Sequence, residues 1–523
     1  MKTAAATEAF CSWCSARAES GQRRMKLSML GTAFFSLAAN GFSYMNFTPQ
    51  HDALIESFWY SRSHLIGLGR FLLNGYMVVR GKLPMPWAAG MLSMLFLGLS
   101  VYLLTRTLRM DTRAEILLTA GFMSANLCIT SLNAVFQYFS DAYMFALLTA
   151  CLGAYLLSLR PGLLNGAAAA ASLLVSLGIY PAFFPTACVI LLLVILREVL
   201  ECNGFTREIW KKIGYWAAVM AVTAVLFVAC AKLSLVLTGW KASVRKNSLY
   251  SFGSVGLGEL LRRTAVNYYY FTSSQLLGFS PLDGMEFLGK PYGAASIALT
   301  VLCVGVFVKR HWGKVRGGVL CLFLLSAVLF PFIARSVNIM TGNGQSHRTM
   351  YTQYIYHVFL LWLLFLDSRG GASPDRIEGK GRTVPIAAAL SVVLLLSSIG
   401  FSNQAYTVSK VLYDRAMVHT AQVMEDLRDQ GYSKAAGDTA VATGTFELDR
   451  GLRSRLSRFD CLGGFYDSSV TYTDTFRSAA RLFGYEVAWS DREADPDLLE
   501  SMPAYPDSGY IRVVDGIYVI KLS

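Results

Sequence analysis

The sequence predicts an all-α polytopic membrane protein, with about eleven transmembrane helices followed by a small α/β domain at the C-terminal end. Three observations lead to this prediction: the composition is apolar, the apolar residues come in runs of membrane-spanning length, and basic clusters separate many of these runs. Of the 523 residues, 54% are hydrophobic and 15% are charged, and the mean hydropathy is +0.43. Soluble proteins carry about 25% charged residues, so this composition excludes an ordinary soluble domain for most of the chain.

Eleven apolar runs approach the roughly 20 residues that a helix needs to cross about 30 Å of hydrocarbon. They cover residues 27–45, 87–105, 115–132, 142–159, 163–179, 182–199, 213–236, 292–308, 318–334, 351–366 and 384–402. A tight break at Tyr180 and Pro181, rather than a loop, separates the fifth run from the sixth. An odd number of spans places the two ends of the chain on opposite sides of the membrane.

Short basic connections indicate the orientation of these spans. If the N-terminal tail, residues 1–26, is cytoplasmic, the connections that lie inside with it are all rich in Lys or Arg, as the positive-inside rule requires. These connections are 106–114, 200–212, 309–317 and 367–383. The same clusters account for the net charge of +13 without a nucleic-acid partner. We therefore expect a transmembrane domain over residues 27–402 and an extracytoplasmic domain over residues 403–523.

The C-terminal domain has a mixed pattern. A helical pattern runs from residue 403 to 430, and a strand-like run follows from Thr439 to Phe446. A hairpin is predicted over Tyr510–Ile520 because Asp515 and Gly516 form a favoured two-residue turn. The tail is therefore expected to be a small α/β domain.

The first outer connection, residues 46–86, carries two carboxylates close to the first span. Asp52 and Glu56 share one face of a predicted amphipathic interfacial helix, and Arg70 follows near its end. Either carboxylate can act as a general base that takes a proton from an attacking hydroxyl. The alternative is structural, since Asp52 follows Pro49 and suits a helix N-cap, with Glu56 in the first turn.

The segment Phe136–Asp141 opens the fourth predicted span. An ionisable group such as Asp141 at the mouth of a span can face a polar cavity, and Tyr138 stands beside it. The alternative is that Ser140 or Asp141 simply caps the helix.

Basic residues of two further outer connections are candidates for phosphate binding. Arg262 and Arg263 lie in the long connection 237–291, and His347 and Arg348 lie in the third outer connection, 335–350. Arginine holds phosphate through charge-assisted hydrogen bonds. The alternatives are a solvated interfacial face for the first pair and snorkelling of Arg348 to the membrane surface.

No local motif predicts a cofactor. The histidines have no metal-ligand spacing, and the sequence contains no Walker loop, dinucleotide fingerprint or nucleophile elbow. A divalent metal held by residues from distant parts of the chain stays open.

Several short segments occur in a familiar order. They are His51-Asp52-Ala53-Leu54, Gly69-Arg70-Phe71, Tyr138-Phe139-Ser140-Asp141-Ala142, Gly178-Ile179-Tyr180-Pro181-Ala182 and Ser402-Asn403-Gln404. By these segments the chain resembles the GtrII family of bacterial glucosyl transferases, which are polytopic membrane enzymes of the GT-C type. The resemblance covers most of residues 27–435 and does not extend to the rest of the tail.

The resemblance implies transfer of a sugar, typically glucose, from a polyprenyl-phosphate donor to a surface glycan on the outer face of the bacterial cell membrane. The catalytic acidic residue of the family maps onto Asp52. His51 stands where family members often have another acid, which leaves open whether Asp52 acts alone, with Glu56 or with a metal. The candidate substrate-binding residues are His51, Arg70, Tyr138, Asp141, Tyr180, Arg262, Arg263, His347 and Arg348.

A transporter or flippase of lipid-linked sugars is the alternative function. It would need charged residues deep in several spans and often discontinuous helices in related halves, whereas the predicted spans are nearly free of charge. A scaffold that presents the C-terminal domain is a further alternative, although eleven spans exceed what anchoring needs. The predicted function is a membrane glycosyltransferase.

Overall fold

The computed structural model describes residues 2–49, 54, 62–242, 255–279, 287–313, 315–342, 347–366, 383–446, 454, 456–462 and 473–523. In chain order its α-helices are α1 (Lys2–Met45), α2 (Arg62–Gly67), α3 (Leu73–Arg80), α4 (Pro86–Thr107), α5 (Arg113–Ser124), α6 (Leu127–Val135), α7 (Ser140–Ser158), α8 (Leu163–Ile179), α9 (Phe184–Glu201), α10 (Arg207–Thr238), α11 (Leu257–Phe271), α12 (Lys290–His311), α13 (Gly317–Ala334), α14 (Ser336–Thr341), α15 (Ile355–Phe365), α16 (Thr383–Asp429), α17 (Thr473–Leu482) and α18 (Pro496–Ser501). The strands are β1 (Thr439–Thr443), β2 (Ile511–Val514) and β3 (Ile517–Lys521).

The apolar runs of the sequence are helices in the structure. Within the described part of the chain, eight helical segments are long and apolar enough to cross a membrane. They are Pro86–Thr107, Arg113–Val135, Gln137–Ser158, Pro181–Glu201, Arg207–Thr238, Lys290–His311, Gly317–Ala334 and Thr383–Asp429. The prediction of a mostly helical membrane-embedded protein is confirmed, and the number of eleven crossings stays a prediction.

The predicted span 115–132 is not one unbroken helix. Asn126 interrupts it between α5 and α6, where its side-chain oxygen accepts a hydrogen bond from the backbone N–H of Ile129. The amide nitrogen of the same side chain donates to the carbonyls of Phe122 and Met123. One asparagine thus caps the second helix and satisfies the end of the first.

Small residues allow neighbouring helices to approach closely, as is usual in membranes. A Cβ atom on Gly90 of α4 would lie 2.4 Å from the ring of Tyr44 on α1, and one on Gly153 of α7 would lie 2.7 Å from Leu173 on α8. These contacts pair α1 with α4 and α7 with α8, and α4 also packs against α7, so the four helices form one packed group.

The connections predicted to be cytoplasmic meet at one end of the bundle. Arg109 forms an ion pair with Glu201 at 3.3 Å, and the backbone N–H of Arg316 donates to the side chain of Asn203. Three of the four basic connections are therefore neighbours in space. This end is called the basic end below.

The last helix of the bundle continues into the tail. Helix α16 contains 47 residues without a break, which is about 70 Å at 1.5 Å per residue and exceeds the hydrocarbon thickness. The predicted boundary between residues 402 and 403 therefore falls inside a continuous helix. No local sequence signal ends the helix there, and the chain leaves the bundle without changing its backbone conformation.

A three-stranded sheet in the order β1-β3-β2 follows α16. Strand β3 is parallel to β1 and antiparallel to β2. The hairpin turns at Asp515 and Gly516, as predicted, and both have positive φ values, 51° and 75°, as the two-residue turn requires. The sheet is fixed to α16 by Tyr510, whose hydroxyl donates to Asp426 at 2.5 Å.

Candidate active site

Two of the predicted substrate-binding residues, Arg70 and Tyr180, meet at the end of the bundle opposite the basic end, together with Tyr143. The guanidinium of Arg70 lies over the ring of Tyr180, 4.8 Å from its centroid, and its Nη1 donates to the hydroxyl of Tyr143 at 3.3 Å. The rings of Tyr143 and Tyr180 are 4.4 Å apart. We call Arg70, Tyr143 and Tyr180 the arginine–tyrosine cluster.

Local backbone geometry places Arg70 in this cluster. Helix α2 ends at Gly67, and Gly69 has a positive φ of 80°, so the chain turns sharply just before Arg70. The next turn is fixed by a hydrogen bond from the N–H of Leu72 to the carbonyl of Gly178, 2.9 Å. A Cβ atom on Gly178 would lie 2.8 Å from Leu72, so only glycine permits this approach without displacement of Leu72.

Arg348 joins the cluster through its backbone and its side chain. Its carbonyl accepts hydrogen bonds from the hydroxyl of Tyr180 at 3.0 Å and from the thiol of Cys128 at 3.4 Å. Its guanidinium lies 5.3 Å from the centre of the Phe136 ring, and that ring contacts Tyr143. Arg348 therefore packs against the bundle and does not simply extend along a membrane surface.

A third arginine, Arg335, is buried close enough to His347, the residue before Arg348, for its charge to act on that imidazole. Arg335 follows the last residue of α13 and is 1% exposed. Its Nε donates to Asn267 at 2.9 Å and its Nη1 to Gln353 at 3.0 Å, while Tyr270 stacks on the guanidinium. Burial lowers the pKa of Arg335 to about 9, so the side chain is still a cation at neutral pH. A buried cation is a strong attractor for an anionic group.

His347 is buried next to Arg348. Its Nδ1 is 2.9 Å from the hydroxyl of Tyr354, and its ring contacts Phe287. Burial, and then the positive charge of Arg335, lowers the pKa of His347 to about 3. The imidazole is therefore neutral at physiological pH and serves as a hydrogen-bonding group rather than as a cation.

Asp141 does not cap the helix that it opens. Phe139 is the N-cap residue of α7 and no side-chain hydrogen bond caps this end, so the capping role considered for Ser140 or Asp141 is not observed. The carboxylate instead lies 3.3 Å from Nε of Arg80 and accepts a hydrogen bond from Tyr76 at 2.8 Å. Asp141 on α7 thus holds helix α3 in place. Helix α3 begins three residues after Arg70 in the chain.

Tyr138 takes part in the same contact. Its carbonyl accepts a hydrogen bond from Arg80 at 2.7 Å, and the guanidinium of Arg80 lies over its ring. Its hydroxyl donates to the carbonyl of Lys82. Tyr138 thus attaches the end of the first outer connection, at Arg80 and Lys82, to the start of α7. A role of Tyr138 in substrate binding stays a prediction.

Arg262 and Arg263 lie on α11 and share one acidic partner, Glu259. Both side chains bond its carboxylate at 2.7 Å, and these hydrogen bonds lower the pKa of Glu259 to about 2. Arg262 is largely exposed, whereas Arg263 also donates to the carbonyl of Met340 on α14. Arg263 therefore holds α11 near Arg335, and Arg262 has no described contact with the arginine–tyrosine cluster.

The predicted catalytic carboxylates, Asp52 and Glu56, and their neighbour His51 lie outside the described residues. The chain around them is described at two points. The side-chain oxygen of Gln137 accepts from the backbone N–H of Thr48 at 3.3 Å, and Leu54 is 1% exposed within the core. The start of the first outer connection is therefore attached to the segment that contains Tyr138 and Asp141.

Some residues of the site were not among the sequence predictions. Tyr143 bonds to Arg70, and Asn267 bonds to Arg335; in both pairs the packing of helices distant in the sequence brings the two residues together. Arg335 directly follows a predicted span, and that position is the one signal that would have singled it out. Within the described residues no group of three or more His, Cys, Asp or Glu side chains is placed to hold a metal ion.

The fold and this site define a polytopic α-helical membrane protein whose connections gather arginine, tyrosine and histidine at one end of the bundle. A family model described as Glucosyl transferase GtrII matches residues 41–365, which is more than half of the chain. The chain therefore belongs to the GtrII glucosyl transferase family, and the resemblance seen in the sequence is confirmed. No curated protein and no solved structure gave a match.

Proposed function

We propose that this chain transfers glucose from a polyprenyl-phosphate donor to a surface glycan, at the end of the bundle that carries the arginine–tyrosine cluster. The observation that supports this most is the contact between Arg70 and Tyr180. These residues belong to two separate segments that resemble the GtrII family, and the matched range contains both of them. Segments that characterise a family of transferases and also meet in space are the best candidates for its substrate site.

The donor phosphate needs cations that keep their charge in a water-poor place. Arg70 and Arg348 both contact Tyr180, and Arg335 lies close enough to His347, the neighbour of Arg348, to lower its pKa. Arginine suits this task because its planar guanidinium offers several donors to phosphate oxygens. We assign these three arginines to the phosphate that leaves when glucose is transferred.

The acceptor needs a base. In the proposed reaction a hydroxyl oxygen of the glycan bonds to the anomeric carbon of glucose, and the bond from that carbon to the phosphate oxygen breaks. The polyprenyl phosphate keeps the electron pair of this bond, and the hydroxyl proton passes to Asp52, with Glu56 as the second candidate. The attachment of Thr48 to Gln137 and the burial of Leu54 support this role, because they hold both flanks of Asp52 to the protein.

We further propose that this end faces the outside of the cell membrane and that residues 403–523 lie outside with it. The grouping of Arg109 and Arg316 at the basic end supports this orientation through the positive-inside rule.

A reconstituted assay tests the proposal. The purified full chain is placed in liposomes with radiolabelled polyprenyl-phosphate glucose and with polysaccharide extracted from a strain that lacks this chain. Asp52→Asn should lower the transfer rate about 10²- to 10⁴-fold, as expected on loss of a general base. Asp414→Asn is the matched control, because Asp414 is an exposed acid that pairs with Lys410 on α16, and it should transfer at the wild-type rate.

Three outcomes would count against the proposal. Asp52→Asn with near-wild-type activity would remove the base, and labelling from a different polyprenyl-phosphate sugar in place of glucose would change the donor. Movement of the labelled donor between leaflets without transfer would favour the transporter instead.

A further inference from the structure

A turn of the tail lies against the candidate active site. Residues Ser457–Leu462 form a short 3-10 helix, and Cα atoms of this turn come within 8 Å of Cα atoms in residues 347–349. The hydroxyl of Ser131 on α6 donates to the carbonyl of Leu462. Ser131 stands one helical turn from Cys128, whose thiol bonds to Arg348. The same helix thus holds the tail turn and the site.

Aromatic rings connect the tail turn with His347. Phe459 packs on Phe401 of α16 at 5.2 Å between ring centroids, Phe401 contacts Phe287 at 6.4 Å, and Phe287 contacts His347 at 5.4 Å. Phe459 and Leu462 are buried, at 3% and 0% exposure. The turn is therefore a packed wall beside the site, rather than a surface loop that passes near it.

Arg458 is the charged residue of this wall whose side chain the structure describes. Its guanidinium lies over the rings of Phe459 and Phe401, 5.0 and 5.7 Å from their centroids. Its Nε is buried and has no hydrogen-bond partner among the described residues. A half-buried guanidinium held on two rings is a rigid donor, because stacking fixes its plane before any ligand arrives.

We propose that the tail turn completes the substrate site and that Arg458 binds the acceptor glycan. This inference rests on the proposed function. The family model ends at residue 365, so chemistry that family members share, including use of the donor, is expected within the matched range. The arginines of the matched range are already assigned to the donor phosphate, so the turn that lies beside the site from beyond residue 365 is available for the other substrate, the acceptor. Arg458 would donate hydrogen bonds to hydroxyl or carboxylate oxygens of this glycan.

The same liposome assay tests the proposal when donor and acceptor concentrations are varied separately. Arg458→Ala should raise the polysaccharide concentration needed for half-maximal transfer about tenfold or more, the scale expected for a lost charge-assisted hydrogen bond. The donor concentration for half-maximal transfer should stay at the wild-type value. Arg458→Lys keeps the charge but loses the planar fork, and it should recover only part of the acceptor binding.

Arg477→Ala is the matched control. Arg477 is also stacked on an aromatic ring, that of Trp489, and also has a buried Nε without a described partner, but it lies in the tail on α17. The proposal predicts wild-type transfer for this variant. Equal acceptor dependence in Arg458→Ala and wild type, or an equal loss in both variants, would overturn the acceptor role. Failure of the wild-type chain to transfer glucose would instead overturn the proposed function, and this inference with it.

Discussion

Arg70 and Tyr180 are separated by 110 positions in the sequence, yet the guanidinium of one lies 4.8 Å from the ring centre of the other. The contact depends on Gly69, which turns the chain, and on Gly178, which lets Leu72 approach. The Tyr180 hydroxyl in turn donates to the backbone of Arg348. One tyrosine therefore positions two arginines from different connections.

Arg70→Ala should lower glucose transfer about 10- to 100-fold, because a charge-assisted hydrogen bond to a phosphate would be lost. Arg70→Lys should recover little of this activity, because lysine keeps the charge but neither the ring stacking nor the planar donors. The measurement is the initial rate of transfer in liposomes. Arg106→Ala serves as control, since Arg106 also stacks on tyrosine rings, those of Tyr102 and Tyr155, but lies at the basic end; a loss in this variant as large as in Arg70→Ala would contradict the assignment.

Asp141→Asn should destabilise the protein by about 3–5 kcal/mol, because removal of one charge leaves its partner buried and unmatched. Arg80 and Asp141 are only 5% and 0% exposed. The double variant Arg80→Met with Asp141→Asn should regain much of the lost stability, and Asn can still accept from Tyr76. Thermal unfolding in detergent measures both changes.

A different result would give Asp141 a different role. If Asp141→Asn unfolds at the wild-type temperature but no longer transfers glucose, the carboxylate acts on substrate, as the family resemblance implies, and the Arg80–Asp141 pair does not stabilise the fold.

The stability of the protein should fall in acid partly because of His347. Its ordinary pKa of 6.5 applies to the unfolded chain, and burial lowers the folded value to about 3. Between these two values the unfolded state binds a proton that the folded state does not, so the stabilising contribution is complete above pH 6.5 and is lost as the pH falls toward 3.

His347→Asn tests this dependence, because asparagine has no proton to gain. The unfolding temperature of the variant should fall less than that of the wild type between pH 7.5 and 4.5. Parallel curves for the two proteins would show that His347 titrates normally and is not buried as described.

The sequence by itself determined the helices and the family. Hydropathy depends on composition within about 20 residues, so the apolar runs were identified without knowledge of the packing. Three of the four basic connections between these runs lie together in the structure. The turn before Arg70 and the hairpin at Asp515 and Gly516 are also local, because glycine and aspartate act on their own backbone.

Only the tertiary structure decided which polar residues meet. From the sequence, a capping role could be considered for Asp141 because capping involves only residues next to it in the chain. Its actual partner, Arg80, lies 61 positions earlier, so the sequence could not reveal the pair. Arg335 was missed because burial is a property of the surrounding helices and not of the residue. The sequence also did not predict that the turn at Arg458 lies beside the site. The predicted domain boundary at residue 402 separated this turn from the bundle, whereas α16 continues unbroken from the bundle into the tail. Helix formation depends on near neighbours in the chain, but charge pairing and burial depend on residues that only folding brings together.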